Sequence, residues 1–287
     1  MKKDFAQEYG DLEQWHWWFR GRRKILEFVL REELSDAAVS RRILSVGCGP
    51  APGLKWLSPF AGVEGKVFGL DIEPLHARGV GEGLGFVVGS LETAPLRSAS
   101  FDVVVALDVL EHLDDDHLSL CEAVRLVKPG GLLLLTVPAL PSLWGGQDVV
   151  SEHRRRYTRR TLRKLFDDLS LSGYWIKYFN TFLFPLAASV RLVRRVIGKG
   201  NRARSDFEDN RPGIINETLA WLFGAESFLI RRAPFPFGVS LVATYRPPLQ
   251  DAPKDTLLDT AGSDLLAKAT QSKPVAISQS RLASSNN

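Results

Sequence analysis

The chain has 287 residues, of which 45% are hydrophobic, and its formal net charge at pH 7 is +4. This length and composition support a large buried core, most of which a single α/β domain can supply. The two cysteines exclude a disulfide framework, which indicates a reducing, cytoplasmic setting, and the first residues contain no apolar run typical of a secretory signal. The modest charge, without a helix-turn-helix or RNA-binding pattern, argues against nucleic acid as a partner.

The first 40 residues are dense in aromatic and basic side chains, above all in the run LEQWHWWFRGRRKIL at 12–26. Two interpretations remain open. A helix here covers an open edge of the core with its tryptophans, or residues 1–40 form a lid that excludes water from a bound ligand. In the second case Arg20, Arg22 or Arg23 binds a carboxylate of that ligand.

Residues 42–57 predict a strand, a glycine turn and a helix. Gly47 and Gly49 let a ligand approach the main chain, and the start of the next helix offers unpaired N–H groups. A glycine turn alone also occurs for packing. A second predicted strand at 67–71, however, ends in Asp71, at the distance where an acidic side chain accepts both hydroxyls of a ribose.

Later apolar runs in the sequence continue the alternation of predicted strands and helices. Residues 100–107 are continuously apolar after Asp102, which is typical of a parallel strand covered on both faces. The sequence LVKPGG at 126–131 predicts the end of a helix and a turn into a strand at 132–137. Further strands are predicted at 174–179 and 237–245.

A helical insertion at about 181–235 separates these last two strands. Its first helix, at 181–197, carries Arg191, Arg194 and Arg195 and so falls short of the about 20 apolar residues of a membrane span. A basic amphipathic helix of this kind can lie on a bilayer surface; a wall of the acceptor pocket or a subunit contact is the alternative.

The insertion continues with a second helix, predicted at 216–230, after a polar stretch at 199–213 that predicts a mobile loop. Residues 249–287 lack a core pattern and predict a disordered tail.

Landmarks at 46–49 (VGCG), at Asp71, at 108–112 (DVLEH) and at 128–131 (KPGG) follow one another in order. In these the chain resembles the class I S-adenosylmethionine (SAM)-dependent methyltransferases, in the broad group that includes ubiquinone-biosynthesis methyltransferases. The resemblance covers roughly residues 40–180. It implies an α/β, Rossmann-like, seven-stranded, mostly parallel sheet with helices on both faces and the last strand antiparallel, and a domain at 41–248.

A dehydrogenase also combines a glycine turn with a ribose carboxylate. Its G-x-G-x-x-G spacing fails here, because Pro50, Ala51 and Pro52 follow Gly49. The resemblance therefore implies SAM as the cofactor. The residues that it assigns to cofactor binding are Gly47, Cys48, Gly49, Asp71, Ile72, Ser90, Leu91, Leu107 and, from the lid, Arg20.

Two positions depart from the family pattern. Ser45 stands where a carboxylate usually precedes the glycine loop, and Ser90 stands where many relatives have an aspartate facing the adenine. The expected activity is methyl transfer to a small or lipid-linked acceptor, with O-methylation favoured over C- or N-methylation. The departures motivate an alternative, a protein that keeps the fold as a binding or regulatory module without turnover.

His112 and His153 are the candidate catalytic residues, since each follows a strand at the edge of the sheet where ligands of this fold bind. One of them is expected to act as a general base if the acceptor is a hydroxyl. The aspartates at 114–116 predict a helix start rather than a metal site, because consecutive carboxylates cannot all face one ion. The basic run at 153–164 indicates an anionic acceptor or acidic lipid.

Overall fold

The computed structural model describes residues 12–34, 39–197, 211–233 and 235–249. Those up to Pro248 belong to one compact unit. The predictions for residues 1–11, for most of the loop at 199–213 and for the tail from 250 onward lie outside the described residues.

Seven strands form one mixed sheet in the order β3-β2-β1-β4-β5-β7-β6. They are β1 (Arg42–Val46), β2 (Lys66–Asp71), β3 (Leu84–Val88), β4 (Phe101–Leu107), β5 (Val127–Pro138), β6 (Trp175–Phe179) and β7 (Ser240–Tyr245). The first five strands pair in parallel, whereas β7 is antiparallel to both of its neighbours. The predicted mostly parallel sheet with an antiparallel last strand is confirmed.

Helices cover both faces of the sheet. They are α1 (Trp17–Glu33), α2 (Ser58–Ala61), α3 (Asp116–Leu126), α4 (Gly146–Val150), α5 (Arg159–Asp168), α6 (Phe184–Val196) and α7 (Ile214–Ala225). Successive residues of a strand point to opposite faces, so the core divides into two clusters. Ile25 of α1 and Phe223 of α7 pack with one cluster, and Leu120 of α3 and Phe166 of α5 with the other.

Two local predictions are corrected by the structure. The expected helix after the glycine turn is a 3-10 segment, Ala51–Leu57, in which Gly53 N donates to Pro50 O at 2.9 Å. The Lys-Pro-Gly-Gly sequence is not a turn before the strand, because β5 already begins at Val127. Between the pairs Phe101–Val127 and Val103–Leu132, β5 has three more residues than β4, so the register is irregular there and regular pairing resumes at Leu132.

The N-terminal helix packs against the helical insertion. A side chain at Gly21 of α1 would overlap the ring of Phe223 in α7, so the absence of a Cβ permits this close approach. The Asn216 side chain accepts a hydrogen bond from Trp17 N at 2.8 Å and donates one to Trp15 O at 2.7 Å. The segment before the first strand is thereby held on the same side of the sheet as α7.

Candidate active site

A cavity of about 1520 Å³ opens where the parallel strands end. Val46, Asp71, Leu107 and Pro138, at the carboxyl ends of β1, β2, β4 and β5, all line it. This is the edge at which open α/β sheets bind ligands. The cavity exceeds the usual volume of a pocket for one small molecule and has room for a cofactor and an acceptor together.

Asp71 fixes the glycine loop at one end of the cavity. Its carboxylate accepts hydrogen bonds from Gly49 N at 2.9 Å and from Glu73 N at 3.0 Å. Gly47 and Gly49 have φ of 55° and 64°, in the left-handed region that glycine adopts without strain. A Cβ at Gly47 would lie 2.8 Å from Val109 Cγ2, so only glycine leaves this loop in place. The loop is therefore preformed around a carboxylate that faces the cavity.

His112 and His153 meet farther along the same cavity, with their ring centres 4.8 Å apart and nearly perpendicular. Two contacts bring their segments together: Arg154 N donates to Glu111 O, and Arg154 Nε donates to His112 O, each at 2.8 Å. Burial, with the neighbouring His153, lowers the pKa of His112 to about 4. His112 is therefore a neutral imidazole at pH 7.

A buried carboxylate orients His153. Asp148 Oδ1 lies 2.9 Å from His153 Nδ1 and also accepts from Arg156 Nε at 2.7 Å. Burial alone would raise the pKa of Asp148, but the hydrogen bond from His153 and the Arg156 guanidinium lower it to about 2. Asp148 is thus ionised and holds a proton on Nδ1, which leaves the lone pair on Nε2.

Glu111 lies beside the two histidines and is completely buried. Among the described residues, neither of its carboxylate oxygens has a hydrogen-bond partner. Its Oε1 is 3.9 Å from His153 Nε2. Burial and the charge of Asp108 raise the pKa of Glu111. A side chain of this kind is costly to bury without a ligand or a proton to neutralise it.

Comparison with known proteins agrees with this geometry. A family model described as a methyltransferase domain matches residues 44–135. A probable SAM-dependent methyltransferase of Mycolicibacterium smegmatis is 30% identical over 157 residues, which cover 53% of this chain and 58% of that protein. A ubiquinone biosynthesis O-methyltransferase of Vibrio atlanticus is 35% identical over 115 residues, covering 37% of this chain and 46% of the relative.

The chain contains a class I SAM-dependent methyltransferase domain. The solved structure of a SAM-dependent methyltransferase from Archaeoglobus fulgidus has the same fold, with a TM-score of 0.50 at 18% identity over 83% of this chain and 98% of that one. The chain spans about half the length of the curated relatives that it matches.

In this methyltransferase domain, the residues predicted to bind the cofactor lie together, with one exception. Those that line the cavity are Gly47, Cys48, Gly49, Asp71, Ile72, Ser90, Leu91 and Leu107. Burial and the nearby Asp71 raise the pKa of the Cys48 thiol, which is therefore neutral at pH 7. The hydroxyl of Ser90 accepts from Glu92 N at 3.3 Å and so caps the turn that carries Leu91. The preformed loop and the carboxylate of Asp71 fit SAM.

Arg20 is the exception. It pairs with Glu217 of α7 at the surface and does not line the cavity, whereas Arg22 does. Residues two apart on a helix point to different faces, so only one of these arginines can face the site. Arg22 lies over the ring of Trp18, 4.3 Å from its centre, and pairs with Asp108. The α1 residues that line the cavity are Trp17, Trp18 and Arg22. Trp17 and Trp18 also pack against the core, so both interpretations of this helix, lid and core cover, stay open.

The start of the basic run after His153 is neutralised by carboxylates of the methyltransferase domain. Its first arginines each have a carboxylate partner, the pairs being Arg154 with Asp114, Arg155 with Asp116 and Arg156 with Asp148. Asp115 caps α3 by accepting from Leu118 N at 2.9 Å, which agrees with a helix start. Because these three arginines are already paired, they do not support the prediction of an anionic acceptor.

Sequence reasoning missed Glu111 and Asp148 as parts of the site, whereas Arg22 was one of the three arginines that it left open. Glu111 directly precedes His112, and Asp148 stands five residues before His153. A carboxylate next to each candidate histidine was the available signal. This signal becomes informative only when the segments that carry His112 and His153, about 40 residues apart, are known to be in contact, and the fold supplies that contact.

Proposed function

We propose that the chain transfers a methyl group from SAM to a hydroxyl group of a small acceptor. The observation that carries this is the single cavity in which the Asp71–Gly49 cradle and the His112–His153 pair lie together. Asp71 suits the ribose hydroxyls of the cofactor, and the glycine loop suits its methionine part. The name of the Vibrio relative, an O-methyltransferase, supports a hydroxyl as the acceptor.

Bound SAM would supply the methyl group: the acceptor oxygen would form a bond to the methyl carbon while the carbon–sulfur bond breaks, and the electron pair of that bond would stay on a neutral thioether. The hydroxyl proton passes to Nε2 of His153, whose other nitrogen is held by Asp148. Alignment of the two ligands within the cavity supplies a large part of the rate increase.

Calorimetry on the full chain tests this function. We expect one SAM site per chain, competition by S-adenosylhomocysteine, and transfer of labelled methyl to hydroxyl compounds. A nicotinamide dinucleotide serves as the negative control and should not bind. Absence of SAM binding contradicts the proposal. Tight SAM binding without transfer to any hydroxyl, amine or carbon acceptor would favour the alternative of a binding or regulatory module.

We further propose that the acceptor is lipid-linked and is reached at an anionic bilayer surface. No described helix is long and apolar enough to cross a membrane. One face of α6 lines the cavity through Leu186 and Val190, while Leu192 and Val196 are exposed to solvent. Arg195 lies on the same helix, so apolar and basic side chains are combined, as in helices that rest on acidic lipid.

Liposome flotation tests this surface. We expect the full chain to float at low salt with vesicles that contain phosphatidylserine, and to float less with uncharged vesicles. The double change Leu192→Ser and Val196→Ser should abolish flotation because it removes exposed apolar area. The matched control is Val63→Ser, at a fully exposed valine outside α6. If the native chain stays in the soluble fraction with both vesicle types, the membrane proposal is wrong.

A further inference from the structure

One cluster of side chains has the arrangement of a metal-binding site, and it consists of Glu111, His112 and His153. One ligand atom from each, a carboxylate oxygen or a ring nitrogen, lies within 4.8 Å of the other two. Glu111 and His112 follow β4, whereas His153 follows α4, so the three converge from two separate segments. This differs from consecutive carboxylates, which cannot all face one ion.

The state of Glu111 supports a positively charged occupant. The side chain is fully buried, and both of its oxygens lack a partner among the described residues. Arg156 and Arg22, whose charges act on Glu111, are each paired with another carboxylate, Arg156 with Asp148 and Arg22 with Asp108. A buried carboxylate without a partner costs several kcal/mol, and a coordinated cation removes that cost.

The ring of His153 is hydrogen-bonded to a carboxylate, as the rings of metal-bound histidines commonly are. Their second ring nitrogen commonly donates to a carboxylate, which orients the ring. Asp148 has this relation to Nδ1 of His153. The free Nε2 lies 3.9 Å from Glu111 Oε1, close to the separation of two ligands that each bind one ion at about 2.1 Å.

We propose that Glu111, His112 and His153 bind a divalent transition-metal ion with one coordination position open to the cavity. Two imidazoles and one carboxylate favour ions such as Zn²⁺ or Fe²⁺ over Mg²⁺ or Ca²⁺, which prefer oxygen ligands throughout. This proposal departs from the sequence-based prediction of no metal site, which considered only the aspartates at 114–116.

This inference deepens the proposed function, on which its catalytic part rests. An acceptor hydroxyl bound at the open position would lose its proton to solvent more readily, because the ion stabilises the resulting oxyanion. The lone pair of His153 is then used in coordination, and the ion takes the place of a free imidazole as the activating group. Metal binding itself does not depend on the identity of the acceptor.

The test is a Zn²⁺ titration of the full chain after treatment with a chelator, followed by calorimetry and by metal analysis after dialysis. We expect one ion per chain. Glu111→Gln and His153→Asn should each weaken binding at least 10-fold, and Asp148→Asn should weaken it about 10- to 100-fold by disturbing His153. Circular dichroism and SAM calorimetry on each variant show that it is folded.

The matched control is His117→Asn, in the second group of possible ligands, Asp115, Asp116 and His117, whose ligand atoms also lie within 4.8 Å of one another. This variant should bind Zn²⁺ as the native chain does. Lack of uptake by the native chain, or an equal loss in His117→Asn, contradicts the metal site. Full methyl transfer in chelator contradicts the catalytic role of the ion but leaves the proposed function intact, whereas metal uptake without SAM binding contradicts the proposed function alone.

Discussion

Replacing Asp71 with alanine is expected to weaken SAM binding by about 1.5 to 3 kcal/mol, or about 10- to 150-fold in Kd. The variant loses the charge-assisted hydrogen bonds that a carboxylate offers to ribose hydroxyls. The substitution also removes the acceptor of Gly49 N, which leaves the longer hydrogen bond from Cys48 N to Leu70 O between the glycine loop and β2. Both changes weaken the binding of the cofactor, and neither directly affects the binding of the acceptor.

Calorimetry with SAM measures the effect, and Asp102→Ala is the matched control. Asp102 also accepts a backbone N–H, from Arg42 at 2.8 Å, and pairs with Lys128. It lies near the start of β4, away from the carboxyl ends of the strands, and does not line the large cavity. The control variant should keep native affinity for SAM. Unchanged affinity in Asp71→Ala would show that Asp71 is not the ribose acid.

Replacing His153 with alanine is expected to lower turnover by about 100-fold or more, while SAM affinity stays nearly unchanged. Asp148 holds the ring of His153 in the orientation that proton transfer needs. Asp148→Asn should therefore also lower turnover, because the tautomer of His153 is no longer fixed. Among the described residues, no carboxylate is hydrogen-bonded to the ring of His112. If His153 acts as a free base, the alanine variant at His112 should therefore lose less.

The losses of turnover in the His112 and His153 variants distinguish the roles that these two histidines can have. A loss confined to His153 and Asp148 is the pattern of a free general base. Losses of equal size at His112 and His153 are the pattern expected of two metal ligands. If both variants turn over an identified acceptor at the native rate, catalysis rests on alignment of the two ligands, and the assignment of a chemical role to the histidines is wrong.

The features predicted correctly are those set by local sequence. The strand before Gly47 and the strand that ends at Asp71 are short apolar runs whose direction and spacing depend on few other residues. The continuous apolar run of β4 likewise reflects burial on both faces. The irregular register after Val127 was missed because it depends on pairing with β4, which local propensity does not include.

The site was predicted less completely because its side chains are placed by distant segments. The helical period separates Arg20 from Arg22 but does not say which of them faces the cavity. That choice is made by α7, where Glu217 binds Arg20 from 197 residues away. The same limit applies to Glu111, whose burial follows from the contact of its segment with the residues after α4.

The contact of α1 with α7 also sets when the site can form during synthesis. Asn216 binds Trp15 and Trp17 across 201 and 199 residues of chain. At about 5 to 20 residues per second, a ribosome takes roughly 10 to 40 s to add the intervening chain. Throughout that interval the aromatic face of α1 lacks its partner on the nascent chain, so chaperone access to this helix should be greatest before α7 emerges.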